Sequence, residues 1–207
     1  MRYAVGFYWT LPVPWAGFTE LPADIEAAAK VSRTIRYQME LIRRHAKEHR
    51  YRLIAENAFL EIAPDRGSDY VTDELRDVED MCRAHEAVMV HVDFSSVGNW
   101  RRHGPLDSWI HRSGIEVEAI PPDEVMIEGQ LHDTQAHFSA WRERQERWRD
   151  HGLFRTAAAF KAAQSLRKEG STFKEIASAL NAKKLQTSTG KAWTEDNVRK
   201  LLVVKAP

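Results

Sequence analysis

The chain has 207 residues, of which 43% are hydrophobic and 29% charged, and its formal net charge at pH 7 is zero. This length accommodates one domain of ordinary size and a smaller one. No apolar run reaches the roughly 18 residues of a membrane span, and no signal peptide is recognisable. Its single cysteine, Cys82, excludes an internal disulfide and a cysteine-based zinc site. We expect a cytoplasmic protein without membrane contact, metal or cofactor.

Strands and helices alternate over residues 1–126. Short apolar runs predict four strands, at Tyr3–Tyr8, Tyr51–Glu56, Ala87–Val92 and Ile115–Ile120. Helical periodicity predicts three helices, at Asp24–Glu48, Asp73–Ala84 and Pro105–His111. This alternation predicts a parallel sheet that is covered by helices on both faces.

Residues 127–152 have a different pattern, which predicts one long helix from Ile127 to Trp148. Side chains at alternating spacings of four and three form a lengthwise seam: Ile127, Leu131, Thr134, Phe138, Trp141, Gln145 and Trp148. This helix either packs on its own domain or pairs with a second copy. We favour a homodimer, because Trp141 and Trp148 lie beyond the expected edge of the sheet. The predicted dimer interface consists of Leu131, Phe138, Trp141 and Trp148.

The zero net charge conceals a division between the two ends of the chain. Residues 151–207 contain 11 Lys and Arg but only 4 Asp and Glu, so this segment carries a charge of +7. The remaining 150 residues carry the balancing −7. Such an asymmetry indicates an anionic partner for the C-terminal segment.

Residues 153–207 predict three short helices around a small apolar core. The first, Phe154–Lys168, is closed by Gly170; the second follows a cap at Thr172, and the third, Glu195–Val203, follows a cap at Thr194. A small domain of this kind can insert one of its helices into the major groove of DNA. A protein-interaction domain with a basic surface is the alternative, and the charge favours double-stranded DNA. The predicted DNA-binding residues are Lys174, Lys183, Lys184, Lys191, Thr194, Asn197, Arg199 and Lys200.

The stretch LRKEGSTFKEIASALNAKKLQTSTGKAWTEDNVRKLL resembles the recombinase region that follows the catalytic domain of serine recombinases. The matching residues fall in the family's order: Ile176-Ala177, Leu180-Asn181, Gly190, Trp193, Val198-Arg199 and Leu201-Leu202. Upstream, the likeness is to the resolvase catalytic domain. It rests on Val5-Gly6-Phe7, on Thr34–Ala46 with Gln38 at the family's usual glutamine, on Val88–Asp93 and on Gly129–Arg147.

This resemblance implies three domains. They are a resolvase-like α/β domain over residues 1–126, a long dimerisation helix over residues 127–152, and a helix-turn-helix DNA-binding domain over residues 153–207. The family's opening motif is Tyr-x-Arg-x-Ser, whose serine attacks a DNA phosphate. Here Trp9 stands at the arginine position and Leu11 at the serine position.

A second family motif, Asp-Arg-Leu-Ser-Arg, is also changed. It reads Asp93-Phe94-Ser95-Ser96-Val97, so Phe94 and Val97 replace both arginines. Phosphoryl transfer requires a nucleophile and cations that stabilise the phosphate oxygens. We therefore expect no catalytic residues and a vestigial active site at Trp9, Leu11, Asp93, Phe94 and Val97. Arginines could re-enter the site only from loops that contain Arg66, Arg101 and Arg102.

The other constellations are less informative. His45 and His49 have a zinc-compatible spacing but no evident third ligand, so we interpret them as solvent-facing. The aromatic N-terminal residues, which include Trp9 and Trp15, indicate either a filled former active site or a ligand pocket, and we favour filling. Three functions remain: a dimeric DNA-binding regulator or recombination accessory, which we favour; a recombinase with a rearranged active site; and a scaffold that does not bind DNA.

Overall fold

The computed structural model describes residues 1–62, 67–97 and 103–204. The chain divides into two compact units. The first consists of Met1–Pro12 and Glu20–Ser139, and the second of Val13–Thr19 and Ala140–Pro207. The predicted loop arginines Arg66, Arg101 and Arg102 lie outside the described residues.

The first unit is built on a four-stranded parallel sheet. Its strands are β1 (Arg2–Thr10), β2 (Tyr51–Leu60), β3 (Val88–Val92) and β4 (Val117–Ile120), in the order β2-β1-β3-β4. All five residues of β3 are buried, as are those of β1 from Ala4 onward. The parallel pairing of these strands confirms the predicted sheet. Strands of a parallel sheet are buried on both faces and therefore appear in the sequence as continuous apolar runs.

Helices flank this sheet, and the arrangement is consistent with the predicted resolvase-like α/β fold. They are α1 (Ile25–Val31), α2 (Arg33–Glu48), α3 (Val71–His85) and α4 (Gly104–Ser113). The single helix predicted over Asp24–Glu48 is wrong, because the chain is extended at Ser32. The Ser32 hydroxyl accepts a hydrogen bond from the Ile35 amide at 3.3 Å and so begins a new helix.

A β-hairpin follows the sheet where the sequence predicted the start of the long helix. Its strands are β5 (Met126–Ile127) and β6 (Gln130–Leu131), and the two turn residues Glu128 and Gly129 have φ values of 53° and 76°. Positive φ at both central positions is typical of a type I′ hairpin turn. The helix α5 therefore spans only Thr134–Asp150, and its Ala136 amide donates to the Asp133 carboxylate at 2.8 Å. The helix start predicted at Ile127 is wrong.

The second unit contains the C-terminal helices. These are α6 (Gly152–Lys168), α7 (Phe173–Ala182) and α8 (Glu195–Val204), which confirm the three predicted helices. Eight buried side chains form their common core: Ala159, Ala163, Ile176, Ala177, Leu180, Trp193, Val198 and Leu201. The segment Val13–Thr19, with a short 3₁₀ turn at Pro14–Ala16, belongs to the same unit. In the parts of the chain that the structure describes, no helix combines the length and apolar character of a membrane span.

Candidate nucleic-acid interface and the edge of the sheet

The carboxyl ends of the parallel strands form one edge of the sheet, which we call the carboxyl edge; β1, β2 and β3 end there at Thr10, Leu60 and Val92. This edge is the position at which the resemblance predicts a vestigial active site. Trp9 and Leu11, from the end of β1, are only 7% and 5% exposed.

Aromatic side chains fill the space around Trp9. Its indole makes edge contacts with the rings of Phe94 at 5.7 Å and His103 at 5.5 Å. Phe94, which is 2% exposed, also contacts the rings of Tyr37 at 6.2 Å and Phe138 at 5.0 Å. Packing of this kind stabilises the fold through apolar burial and edge-to-face ring contacts. The predicted positions Trp9 and Phe94 are thus brought together, and Leu11 is buried as well.

Polar side chains near Trp9 form hydrogen bonds that hold the backbone in place. The Gln38 side chain accepts from the Trp9 amide at 3.2 Å and donates to the Trp9 carbonyl at 2.7 Å. The Ser32 hydroxyl donates to the Thr10 hydroxyl at 3.1 Å. Both Gln38 and Thr10 are buried. These groups therefore fix the end of β1 relative to α2.

The remaining two predicted positions lie in the turn after β3. The Asp93 carboxylate accepts hydrogen bonds from the Ser95 amide at 2.8 Å and the Ser95 hydroxyl at 2.9 Å. It therefore caps the 3₁₀ turn Phe94–Ser96. Val97 follows this turn and is half-buried. Leucine, tryptophan, phenylalanine and valine supply neither a nucleophile nor a positive charge, so these positions lack the chemistry of phosphoryl transfer.

The structure also contains a buried polar pair that the sequence did not predict. The His103 Nε2 atom lies 2.7 Å from a Glu61 carboxylate oxygen, and the two side chains are 4% and 1% exposed. The same carboxylate accepts from the Ser68 amide at 2.9 Å, and His103 Nδ1 accepts from the Leu106 amide at 3.2 Å. Glu61 directly follows β2, whereas His103 caps α4, so the pair connects two segments at the carboxyl edge.

The histidine pair His45 and His49 has local partners. The rings stack at 4.0 Å, His45 Nε2 lies 2.8 Å from a Glu118 oxygen, and His49 Nδ1 lies 2.9 Å from the His45 carbonyl oxygen. In residues 1–62, 67–97 and 103–204, no three histidine, cysteine or carboxylate side chains converge as a metal site requires.

The three helices of the second unit are positioned by local signals. Thr172 and Glu175 form a reciprocal capping box at the start of α7. At the other end, the Asn181 side chain donates to the Trp193 carbonyl at 2.9 Å and accepts from the Trp193 amide at 2.8 Å. The Thr194 hydroxyl then accepts from the Asn197 amide at 3.2 Å and begins α8. The loop between α7 and α8 is thus fixed at both ends.

The predicted DNA-binding lysines are all exposed on this three-helix unit. We call them the lysine set: Lys174, Lys183, Lys184, Lys191 and Lys200. Lys174 lies in α7, Lys200 lies in α8, and the others belong to the connection between these helices. Within the described residues, none of the five forms an ion pair with a carboxylate. Their charges are therefore available to an external anion.

Residues 155–206 match the family model Recombinase. The matched segment includes α7, α8 and almost all of α6. No curated protein and no solved structure shows a significant match to the chain. The match supports a recombinase family for the C-terminal segment and suggests a recombination-related role in DNA binding.

Arg199 differs from the lysines of this recombinase-like segment. Its guanidinium lies 3.0 Å from a Glu195 oxygen and 3.3 Å from an Asp196 oxygen, both in the first turn of α8. It also lies 5.5 Å from the centre of the Phe173 ring. A contact between Arg199 and DNA therefore competes with these carboxylate partners. Thr194 caps α8 and is exposed, and Asn197 is half-buried.

The four predicted dimer residues occupy different environments. Leu131 lies in β6 and not on the long helix, so the prediction that it belongs to a helical seam is wrong. Phe138 is 6% exposed because it packs on Phe94, which leaves little of it for a partner. The ring centre of Trp141 lies 6.1 Å from that of Trp15, and the Arg155 guanidinium lies 3.4 Å from the centre of the Trp148 ring. The continuous seam predicted from the spacing is therefore absent from these four positions.

Proposed function

We propose that the chain is a DNA-binding protein whose C-terminal helices bind double-stranded DNA and whose α/β domain does not cleave it. The lysine set carries this proposal, because its five exposed ammonium groups form no ion pair with a carboxylate of the described residues and all lie in the segment 155–206 that matches Recombinase. Lysines that meet phosphates release counterions from DNA, which drives binding. The role would be that of a regulator or an accessory to recombination.

The positively charged and polar residues in and near α8 have two proposed roles in DNA binding. The lysines meet the phosphate backbone and position the helices, whereas Thr194, Asn197 and Arg199 are the candidates for base contacts. Arg199 pairs with Glu195 and Asp196 in the free protein and compensates one of their two negative charges. This pairing reduces the repulsion between two carboxylates and the phosphates until the arginine exchanges partners.

The filled carboxyl edge supports the second half of the proposal. Trp9 and Leu11 are buried where the resemblance expects an arginine and the nucleophilic serine, and Phe94 is buried where it expects another arginine. The Thr10 hydroxyl, a neighbouring nucleophile, is buried and accepts from Ser32. A DNA phosphate would need to displace this packing to reach that hydroxyl.

We further propose that the protein acts as a homodimer. A charged helix of 17 residues, α5, and the exposed Leu131 next to it are the features that support pairing with a second copy. Trp141 and Trp148 are half-buried and retain some accessible surface. Analytical ultracentrifugation of the full chain tests this part, and a monomer at the concentrations used for DNA binding would overturn it.

The DNA-binding test measures affinity for duplex DNA against salt concentration. The triple variant Lys174→Ala/Lys183→Ala/Lys191→Ala should bind more weakly, and the slope of log K against log salt should fall by about 0.9 for each lost phosphate contact. Lys47→Ala, an exposed lysine of α2, is the matched control and should bind as the parent does. Arg199→Ala/Lys200→Ala should also weaken binding, and unchanged affinity would refute the proposal that α8 contacts DNA.

The cleavage test uses the same protein with supercoiled DNA, followed by denaturation in detergent. We expect neither nicked DNA nor a covalent protein–DNA adduct. An adduct through Thr10, Ser95 or Ser96 would show a rearranged active site. Weak, nonspecific duplex binding that does not depend on the lysine set would instead indicate a scaffold protein without a DNA-binding function.

A further inference from the structure

A cleft in the second unit combines arginine and tryptophan side chains. Its volume is about 420 Å³, and it is lined by Trp15, Arg144, Arg147, Trp148, His151 and Arg155. Four of these residues come from the end of α5 and the turn after it, one from α6 and one from the 3₁₀ turn Pro14–Ala16. Small-molecule sites have volumes of about 300–1,000 Å³, so the cleft can hold a ligand of nucleotide size.

The walls of the cleft are fixed by close packing. Pro14 precedes Trp15 and lies against Gly190, where an added Cβ atom would be only 2.8 Å from the Pro14 Cβ and 3.3 Å from the Trp148 ring. Gly190 has a φ of +82°, a region that favours glycine. The turn that carries Trp15 is therefore seated closely enough on its neighbours to exclude a larger residue at position 190.

The cleft is positively charged and has no acidic lining residue. Within the described residues, ion pairs are found at seven other arginines but not at Arg144, Arg147 or Arg155. Burial lowers the pKa of Arg155, but a guanidinium retains its charge near neutral pH. Three converging cations without a counter-charge favour a bound anion, and guanidinium groups pair well with phosphate oxygens.

The Arg155 and Trp148 side chains, which both line the cleft, also contact each other. The Arg155 guanidinium lies on the Trp148 ring at 3.4 Å and donates to the Trp148 carbonyl at 2.8 Å and to the Ser188 carbonyl at 3.3 Å. These contacts hold Arg155 in place at the wall of the cleft.

Trp15 supplies a planar aromatic surface beside these cations. It is half-buried, and its ring centre lies 6.1 Å from that of Trp141 at an interplanar angle of 49°. Aromatic side chains bind unpaired bases by stacking, and arginines in the same groove track the backbone. A carboxylate ligand would use the arginines alone, whereas a nucleotide uses both the cations and the aromatic ring.

We propose that this cleft binds one nucleotide of a single-stranded nucleic acid, with its phosphate at Arg144 and Arg147 and its base against Trp15. We favour a single strand over duplex DNA as the source of this nucleotide. A base of duplex DNA must first leave the base stack before it can enter a pocket, whereas an unpaired base need not. This ligand goes beyond the duplex DNA proposed above, and the cleft shares no residue with the lysine set. Free nucleotides have the same base-and-phosphate chemistry, so the experiment separates the two sources.

The test measures fluorescence anisotropy of labelled decathymidylate with the full chain. Trp15→Ala should weaken binding about 10-fold, in line with the loss of one stacked base, and Trp15→Phe should restore most of it. Arg144→Gln/Arg147→Gln should weaken binding at least as much. Arg149→Ala is the matched control, because this exposed arginine of α5 does not line the cleft and should change affinity less than twofold.

Duplex binding by the same variants separates this proposal from the previous one. The cleft variants should retain duplex affinity, whereas Lys174→Ala/Lys183→Ala/Lys191→Ala should lose duplex affinity and still bind decathymidylate. Loss of decathymidylate binding in the lysine variant, but not in the cleft variants, would overturn the cleft assignment and leave duplex binding intact. Equal effects of Arg149→Ala and Arg144→Gln/Arg147→Gln would overturn it too.

Competition then identifies the source of the nucleotide. Displacement of labelled decathymidylate by unlabelled strand, but not by the same concentration of thymidine monophosphate, supports a strand ligand. Equal displacement by the mononucleotide supports the site and assigns it to free nucleotides, which overturns the single-strand source. Equal displacement by inorganic phosphate shows a simple anion site and overturns both.

Discussion

Removal of His103 should destabilise the α/β unit strongly. The variant His103→Leu leaves the Glu61 carboxylate, which is 1% exposed, without the imidazole 2.7 Å away. His103 Nδ1 accepts from the Leu106 amide, so Nε2 donates to the carboxylate, and loss of a hydrogen bond to a charged group costs about 1.5–3 kcal/mol. The same change removes the cap on the Leu106 amide at the start of α4, which is worth about 1 kcal/mol. We therefore expect a total loss of about 3–4 kcal/mol in the free energy of unfolding.

A second substitution tests whether the loss comes from the buried carboxylate that has lost its imidazole partner. Glu61→Leu/His103→Leu removes both polar groups, and replacement of a buried pair by apolar side chains is often nearly neutral. The double variant should therefore be more stable than His103→Leu alone, despite carrying one more substitution. Additive losses would contradict this reasoning, because independent sites add and coupled ones do not.

The assay is urea unfolding of the full chain, followed by circular dichroism and by the fluorescence of the tryptophans. His111→Leu is the matched control, since His111 is an exposed histidine of the same helix α4, and it should change stability by no more than about 0.5 kcal/mol. A His103→Leu variant as stable as this control would refute the structural role of the pair. Duplex DNA binding of the double variant should match the parent, because neither residue belongs to the lysine set.

Three further outcomes follow from individual contacts. Asn181→Ala removes two hydrogen bonds to the Trp193 backbone, so amide hydrogen exchange in α7 and α8 should accelerate about 30-fold, since each bond contributes about 1 kcal/mol; unchanged exchange would contradict the role of this side chain. Burial lowers the pKa of His132 to about 4, below its ordinary value near 6.5 in the unfolded chain. The unfolded chain then binds more protons between these values, so stability should fall as pH drops from about 6.5 to about 4, and His132→Gln should flatten that profile in acid titrations monitored by unfolding. Burial raises the pKa of Cys82 to about 11, so the thiol should resist Ellman's reagent at pH 8 until the protein unfolds; rapid reaction of the native protein would show that Cys82 is accessible.

The elements of this protein were largely predictable from the sequence because their signals are local. Helix α7 has its cap at Thr172 and its apolar face at Ile176 and Leu180, all within nine residues. The parallel sheet was equally predictable, since β3 is buried on both faces and all its residues except His91 are apolar. The long helix was extended too far because the spacing of Ile127 and Leu131 fits a helix and a hairpin equally well.

The sequence by itself determined the alternation of strands and helices in the N-terminal part and the basic C-terminal segment. It also determined that serine and arginine are absent from the positions that the resemblance assigns to catalysis. Only the tertiary structure paired Glu61 with His103, which are 42 residues apart, and brought Trp15 into a cleft with Arg144 and Arg155. It also showed that Arg199 pairs with Glu195 and Asp196 of the same helix α8. Local periodicity and capping follow from residues within one or two turns, whereas burial, pairing and clefts depend on contacts between distant segments that no sequence spacing encodes.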